Sequence, residues 1–335
     1  MINRIIYLGY YFSRTSKEHF YRNFNYVKKK NHISSFTLYK DILFSSLKYN
    51  VSFMDYFKLR FFDKTKLERS EYAGAGFMYK YQLLMNPRGH REVLENKVKF
   101  LNHFKDFSGR TWATMDMLQH NKELIQTFLN DERGKVVLKN SRGQAGKEVV
   151  VFETKGITAE ELISTMEKNK FDLIEKYVVQ HDALMQIAPR GLNTARIITQ
   201  LHNGKVDIIG TSLRLSVLLN IDNISAGNFA VPVDPETGVV TDAGIYVDVT
   251  KEDVLKHPLT GFDLIGFKVP FWKECIETVT KAALLTPENK SIGWDVAITN
   301  NGPLLIEGNH NWNNDLWQMP LRRGLKKILL QYMHN

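Results

Sequence analysis

The stretch Ser291 to Asn313, SIGWDVAITNNGPLLIEGNHNWN, constrains this chain more than any other. Two runs alternate apolar and polar residues on either side of Asn300-Asn301-Gly302, and this pattern predicts an antiparallel hairpin. Pairing Val296 with Ile306 sets Ile298 against Leu304 and Trp294 against Gly308, which gathers the apolar side chains on one face. The other face then carries Asp295 directly opposite Glu307, with Asn309 two residues further along the same side. Like charges in opposed positions repel, and a divalent cation turns that repulsion into coordination. Two carboxylates and an amide oxygen are hard ligands suited to Mg²⁺ carrying substrate phosphates. A slip of one residue would send the two acids to opposite faces, so the reading stands or falls on register. Two solvated acids on an exposed sheet face are the plainer alternative.

Three further stretches gain meaning beside this one. In Lys135 to Phe152, KVVLKNSRGQAGKEVVVF, an apolar strand ends at Lys139 and a loop with two glycines precedes another apolar strand. A lysine facing free backbone N–H groups is a phosphate clamp in outline, although the spacing is not that of a Walker loop. A glycine-containing hairpin loop explains the same pattern. In Asp172 to Asp182, DLIEKYVVQHD, Glu175 ends an apolar run, and Lys176-Tyr177-Val178 reads either as an alternating strand or as a connector whose backbone suits a purine edge. Arg196 and Arg214 each lie on an apolar strand, in NTAR and GTSLR. A guanidinium there needs an anionic partner or water, so the pair marks either an anionic ligand or two edge positions.

Charge is unevenly distributed. Residues 1–70 hold 14 Lys and Arg against 5 Asp and Glu, which accounts for the whole net charge of +9, and 17 of the 39 aromatic residues. A basic, aromatic face, with Lys28-Lys29-Lys30 among the rings, attracts polyanions or an anionic membrane surface. Aromatics in a core beneath ordinary surface lysines would look the same. No helix-turn-helix, zinc-finger or RNP-like pattern accompanies the charge, so no nucleic-acid partner is expected. The single cysteine, Cys275, excludes an internal disulfide and a paired metal site. With no apolar run of about 18 to 20 residues, the expectation is a cytoplasmic protein that could sit peripherally at an inner membrane.

Residues 1–70 read as mostly helical, interrupted at Ser34-Ser35 and Asn50. The spacing predicts a helix from Val93 to Phe104. Beyond residue 130 short β-like runs dominate: Lys135–Leu138, Val149–Phe152, Leu173–Val179, Ala195–Leu201, Val206–Leu215, Trp294–Thr299 and Leu304–Glu307. Helices are expected over Thr158–Lys168, opened by a Thr-x-x-Glu capping box, and about Phe271–Leu285. A hairpin is expected at His202-Asn203-Gly204-Lys205. The class is α+β.

These features, in this order, resemble the ATP-grasp superfamily, and within it the sugar-transfer-associated ATP-grasp proteins of bacterial surface-polysaccharide synthesis. The resemblance covers about residues 85–325 and is densest in NTARIITQ, DNISAGNFAVPVD and GWDVAITNNGPLLIEGNHNWN. It implies two α+β lobes enclosing ATP, with the basic helical segment as an N-terminal extension. The domains expected are 1–84 as that extension, 85–180 as the family's N-terminal part and small lobe, and 181–335 as the lobe with the metal and acceptor site. By position, Lys139 and Lys97 would contact the nucleotide phosphates and the 141–147 loop, with Lys147, would close over them. Glu175 would take the adenine amino group, with the Tyr177-Val178 backbone at the hinge and Asp182 near the ribose. Arg214 would stabilise the transferring phosphate, Arg196 would support it or the acceptor carboxylate, and Asp295, Glu307 and Asn309 would hold Mg²⁺.

Two departures stand out: the lid is poorer in glycine than usual, and Gly227-Asn228 follows Ser225-Ala226 where two glycines are expected. His257, in Lys256-His257-Pro258, reads as a turn histidine or an acceptor-side residue. The implied activity is an ATP-dependent carboxylate–amine ligase working through an acyl phosphate. It would join an amino acid or amine to a uronic acid of a bacterial surface polysaccharide or its precursor. A kinase acting on a sugar hydroxyl and a non-catalytic nucleotide-binding module are the rivals.

Overall fold

The computed structural model describes residues 2–143, 149–217 and 227–333. Two antiparallel sheets organise it. The smaller is formed by β1 (Trp112–Thr114), β2 (Lys135–Lys139), β3 (Val149–Glu153) and β4 (Leu173–Lys176), in the order β1-β4-β2-β3. The larger is formed by β5 (Thr194–His202), β6 (Lys205–Leu215), β7 (Phe229–Pro232), β8 (Ile245–Tyr246), β9 (Ser291–Thr299) and β10 (Gly302–Asn309), in the order β10-β9-β5-β6-β7-β8. The expected strands are present, and β4 stops at Lys176, leaving residues 177–181 as a connector between the sheets. The short strands β1, β7 and β8 carry too little alternation to be read from sequence.

Local signals explain the elements that were legible. Thr158 caps the helix Ala159–Lys168 and Glu161 returns the bond, completing the box. Ser34 caps Ser35–Tyr49, and Asn50 ends that helix in the left-handed region at φ 56°. Asn203 and Gly204 both take positive φ in the turn that pairs His202 with Lys205. The helix expected over Val93–Phe104 is broken into Glu92–Glu95 and Lys97–His103, because Asn96 accepts from the Lys99 N–H and starts a second helix.

Alternation divides the faces of the large sheet. Ala195, Ile197, Leu213, Trp294, Val296, Ile298 and Leu305 point to one side and pack against the helix Trp272–Leu284 and against Phe100 and Phe104. The helices over residues 92–108 therefore pack on the large sheet. Ile198 and Ile209 point to the opposite side, under Met78, Tyr81, Met85, Trp312, Trp317 and Leu325. Beyond that apolar cover, the same face carries Arg196 and Asp295, paired across β5 and β9.

The N-terminal helices have a core of their own, built from Phe24, Val27, Leu38, Ile42, Tyr49, Tyr56, Phe57, Phe61 and Tyr72. Its aromatics are thus partly core, as the plainer reading held, while Tyr10, Phe12, Tyr21, Phe36 and Phe44 remain exposed. Lys58 pairs with the buried Asp315 at 2.6 Å and Arg60 with Asp253 at 3.0 Å, so the segment is bound to the large-sheet region through charge as well as packing. No described helix is long and apolar enough to cross a membrane.

Candidate active site

Hairpin chemistry and carboxylate chemistry compete in β9–β10, and a bulge reconciles them. The two-residue turn at Asn300-Asn301 pairs Thr299 with Gly302. Continued in step, that register would set Asp295 against Ile306 and Glu307 against Trp294, moving Glu307 to the apolar face. The ladder instead shifts between Leu305 and Glu307, so Glu307 pairs with Asp295 and Asn309 with Gly293. The expected pairings of Asp295 with Glu307 and of Trp294 with Gly308 are present. Those of Val296 with Ile306 and Ile298 with Leu304 are not: Val296 meets Leu305 and Ile298 meets Pro303.

Asp295 sits in a row across three strands, with Glu307 on one side and Arg196 on the other. The Arg196 Nε and Nη2 donate to its two oxygens at 2.6 and 3.1 Å, and Arg214 Nη2 lies 2.8 Å from Oδ2 while also bonding the Thr194 hydroxyl. Gly293 makes room for this cluster, since a Cβ there would lie 2.5 Å from the Trp312 Cβ and 3.1 Å from Arg196 Nη1. Burial alone would raise the Asp295 carboxyl, but the two guanidiniums outweigh it and hold it below its ordinary value. Glu307 goes the other way: burial first, then the adjacent Asp295 charge, push it up to about 7. Asn309 Nδ2 donates to Glu307 Oε1 and to the Gly293 carbonyl, both at 3.3 Å, which turns its amide oxygen elsewhere.

The small sheet contributes a second charged cluster. Lys139, at the end of β2, places Nζ 2.8 Å from Glu175 Oε2 on the paired strand β4. Arg110 Nε donates to that same oxygen at 2.6 Å. Burial would raise Glu175, yet Arg110 and Lys139 together hold it at about 2. Lys97 donates to the Asn140 carbonyl at 3.0 Å and to the Gly143 carbonyl, at the start of the 141–147 loop. Burial lowers the Lys97 ammonium; Glu307 pulls it up, Lys139 depresses it further, and Glu175 again raises it. Lys97 thus feels both clusters at once.

Lys97, Lys139, Glu175, Arg196, Arg214, Asp295, Glu307 and Asn309, scattered over more than two hundred residues, are therefore gathered between the two sheets. The Glu175 carboxylate, expected to face adenine, is already held by two cations. Asp182 lies apart from this group. Its exposed side chain opens the helix Asp182–Ile187, and its N–H is bonded to Asn300 Oδ1 at 3.1 Å, against the hairpin turn. Tyr177 and Val178 lie in the connector, where the Tyr177 carbonyl is 3.5 Å from Arg133 Nη1. Lys147, with Gln144, Ala145 and Gly146 of the lid and Ser225 and Ala226, lies outside the described residues.

His257 opens a turn, its carbonyl accepting from the Gly261 N–H at 2.8 Å, and it is not an open acceptor group. It is fully buried, its Nε2 is 3.0 Å from the Ser216 carbonyl and so must carry the proton, and burial lowers its pKa. Asn228, standing where a second glycine was expected, is buried and accepts from the Val217 N–H at 2.9 Å, drawing together the two ends of the 218–226 segment.

Arg110 escaped the sequence reading. Besides Glu175, it donates to the Leu305 carbonyl at 2.7 Å and the Ile306 carbonyl at 3.4 Å, the two residues at the bulge. It thereby ties the small sheet to the strand that carries Glu307. Nothing in Ser108-Gly109-Arg110-Thr111 announces this, because the contacts lie 65 and about 195 residues away.

A family model described as sugar-transfer associated ATP-grasp matches residues 77–334. No curated protein matches the chain. Among solved structures, an N5-carboxyaminoimidazole ribonucleotide synthetase in complex with ADP is similar at 12% identity and a TM-score of 0.40, over 70% of this chain and 52% of that one. An L-amino acid ligase from Bacillus licheniformis gives 14% and 0.40, over 70% and 48%. A D-alanyl-alanine synthetase A from Vibrio cholerae gives 13% and 0.40, over 72% and 62%. The chain thus spans less than two thirds of each of these proteins.

Proposed function

Since the chain belongs to the sugar-transfer associated ATP-grasp family, we propose that it is an ATP-dependent carboxylate–amine ligase. In this reading it forms an acyl phosphate and passes the acyl group to an amine, the carboxylate or the amine belonging to an acidic surface glycan or its precursor. The observation that carries the reading is the apposition of Lys97, Lys139 and Glu175 with Arg196, Arg214, Asp295, Glu307 and Asn309. One side offers cations for phosphates, and the other offers oxygen ligands beside two guanidiniums.

The residues fit Mg²⁺. Burial and then the neighbouring Asp295 charge push Glu307 up to about 7, and a cation placed between the two acids offsets both. Glu307 and Asp295 would hold it, joined by the Asn309 amide oxygen once that side chain turns from its bonds to Glu307 and Gly293, and bound Mg²⁺ would neutralise phosphate charge as the phosphoryl group moves. The chain's own groups do the rest. Lys97 and Lys139 attract and orient the phosphates, and the connector at Tyr177 and Val178 is assigned to the base with Asp182 towards the ribose. Lys147 would follow the lid onto the phosphates. Arg214 spreads the negative charge that develops on the transferring group, and Arg196 holds Asp295 in place to ligate. A carboxylate is a poor electrophile until phosphorylation gives it a leaving group, so no nucleophilic side chain is required.

The test is incubation with Mg-ATP, hydroxylamine and a panel of uronic-acid glycans and amino acids, measuring ADP and hydroxamate together. Hydroxamate that depends on one carboxylate, and that falls about 10²- to 10³-fold in Glu307→Gln, is the expected result. ADP with no hydroxamate would replace the ligase with the kinase. Failure to bind Mg-ATP would leave the binding module. With polymeric substrate, neutralising Lys28, Lys29 and Lys30 should raise KM while kcat holds, since the basic segment is assigned to docking the acidic glycan.

A further inference from the structure

A second charged feature lies away from the site between the sheets and follows the opposite rule. The buried cations Arg69, Lys139, Arg196 and Arg214 each have an acid beside them, Asp41, Glu175 and, for the last two, Asp295. A cavity of about 350 Å³, where the N-terminal helices meet the helices Ala75–Met85 and Lys326–Leu330, does not. Arg4, Lys48 and Lys80, which also reach solvent, and the half-buried Lys326 line it, and none of the described lining residues is acidic. None of the four makes an ion pair among the described residues.

Three of the four are also held in position. Arg4 donates to the Leu47 carbonyl at 2.6 Å and to that of Lys48, at the end of the helix Ser35–Tyr49. The Lys48 ammonium rests 5.3 Å over the Phe44 ring and 5.4 Å over Tyr49, and that of Lys326 rests 5.3 Å over Phe77. Burial and then the nearby Arg4 charge hold Lys326 below its ordinary pKa, the sign of cations gathered without a counter-ion. Tyr7 and Tyr72 complete the wall, Tyr72 with its hydroxyl buried and unpartnered among the described residues.

We propose that this cleft is a second, non-catalytic anion site that takes a phosphomonoester or diphosphate group. Four positive charges around one small cavity call for an anion of charge two or more with acceptor oxygens in several directions, which a single carboxylate does not supply. The group could be a lipid headgroup or part of a soluble molecule. Ile5, Ile6 and Phe12, on the helix that supplies Arg4, are 60, 65 and 75% exposed, which gives a lipid tail somewhere to lie. The site draws on both the extension and the family region, so neither half forms it alone.

The full chain would be titrated with inorganic pyrophosphate and sedimented with phosphatidylcholine vesicles, with and without phosphatidic acid. The variants are Lys48→Ala/Lys326→Ala, Lys139→Ala and Lys28→Ala/Lys29→Ala/Lys30→Ala. The cleft pair should weaken pyrophosphate binding about tenfold, whereas Lys139→Ala leaves this site intact and the triple variant, which removes more charge elsewhere, has little effect. Unchanged melting and Mg-ATP binding in the cleft pair show that it folds. Loss of phosphatidic-acid vesicle binding in the same variant assigns a lipid headgroup, and pyrophosphate binding with no vesicle binding assigns a soluble ligand. An isotherm unchanged in the cleft pair, or weakened equally in the triple variant, overturns the proposal.

Discussion

Glu175, which is buried, and Glu307, which is half-buried, both lie near Lys97, and they are shifted in opposite directions. Glu175 shares one oxygen between Arg110 and Lys139 and is held at about 2. Glu307 faces Asp295, whose own charge is already matched by Arg196 and Arg214, and is pushed up to about 7. Burial acts on both in the same direction, so the difference is one of neighbours. In the small sheet two cations meet on one carboxylate. In the large sheet both guanidiniums pair with Asp295, and Glu307 is left facing that carboxylate, which is where a metal ion adds most.

The comparison breaks most sharply on stability. Glu175→Gln strands Arg110 and Lys139 beside an uncharged partner and should lower the unfolding free energy by about 3–5 kcal/mol, measured by urea denaturation. Glu307→Gln should do the reverse above pH 7, raising stability by about 1 kcal/mol while abolishing hydroxamate formation. Changes of the same sign in both would refute the assignment of their charge states. Next comes Arg110, which touches both clusters. Arg110→Ala should cost about 3 kcal/mol and Arg110→Lys about half that, because lysine keeps the charge but cannot reach Glu175 and the two bulge carbonyls together. If Lys139 alone satisfied Glu175, the two variants would be equal.

The smallest expected effects are those of pH. A carboxyl raised in the folded state leaves stability untouched below the ordinary value of 4.5 and lowers it as pH climbs towards about 7. Glu175 contributes stability that is present above 4.5 and lost as pH falls towards about 2. Mg²⁺ must displace the Glu307 proton below pH 7, so its apparent affinity should rise about tenfold per pH unit up to about 7 and then level off. Calorimetric titration of wild type against Glu307→Gln reads this directly, and a slope that survives in the variant would place the titrating group elsewhere.

Much of the site was legible because period-two alternation and capping signals are local. The opposition of Asp295 and Glu307, the capping box at Thr158 and Glu161, and the hairpin at Asn203-Gly204 are present as expected. The pairing of Val296 with Leu305 was not legible, since nothing in the alternation marks the extra residue of a bulge. Arg110 was not legible for a different reason: a guanidinium in a short loop gives no sign of partners on two distant strands. The helix from Val93 was half legible, its apolar spacing being clear while the Asn96 cap that divides it was missed.

By itself the sequence determined which residues could do chemistry and which faces they would share, because side-chain type and strand periodicity are properties of the chain. It also fixed the charge asymmetry of the first 70 residues. Only the tertiary structure decided what charge each acid carries, because a carboxyl's ionisation depends on burial and on cations brought from elsewhere in the chain. For the same reason, packing alone gathered Arg4, Lys48, Lys80 and Lys326 around one cavity without an acid, drawing three of them from the N-terminal part of the chain and the fourth from its C-terminal end.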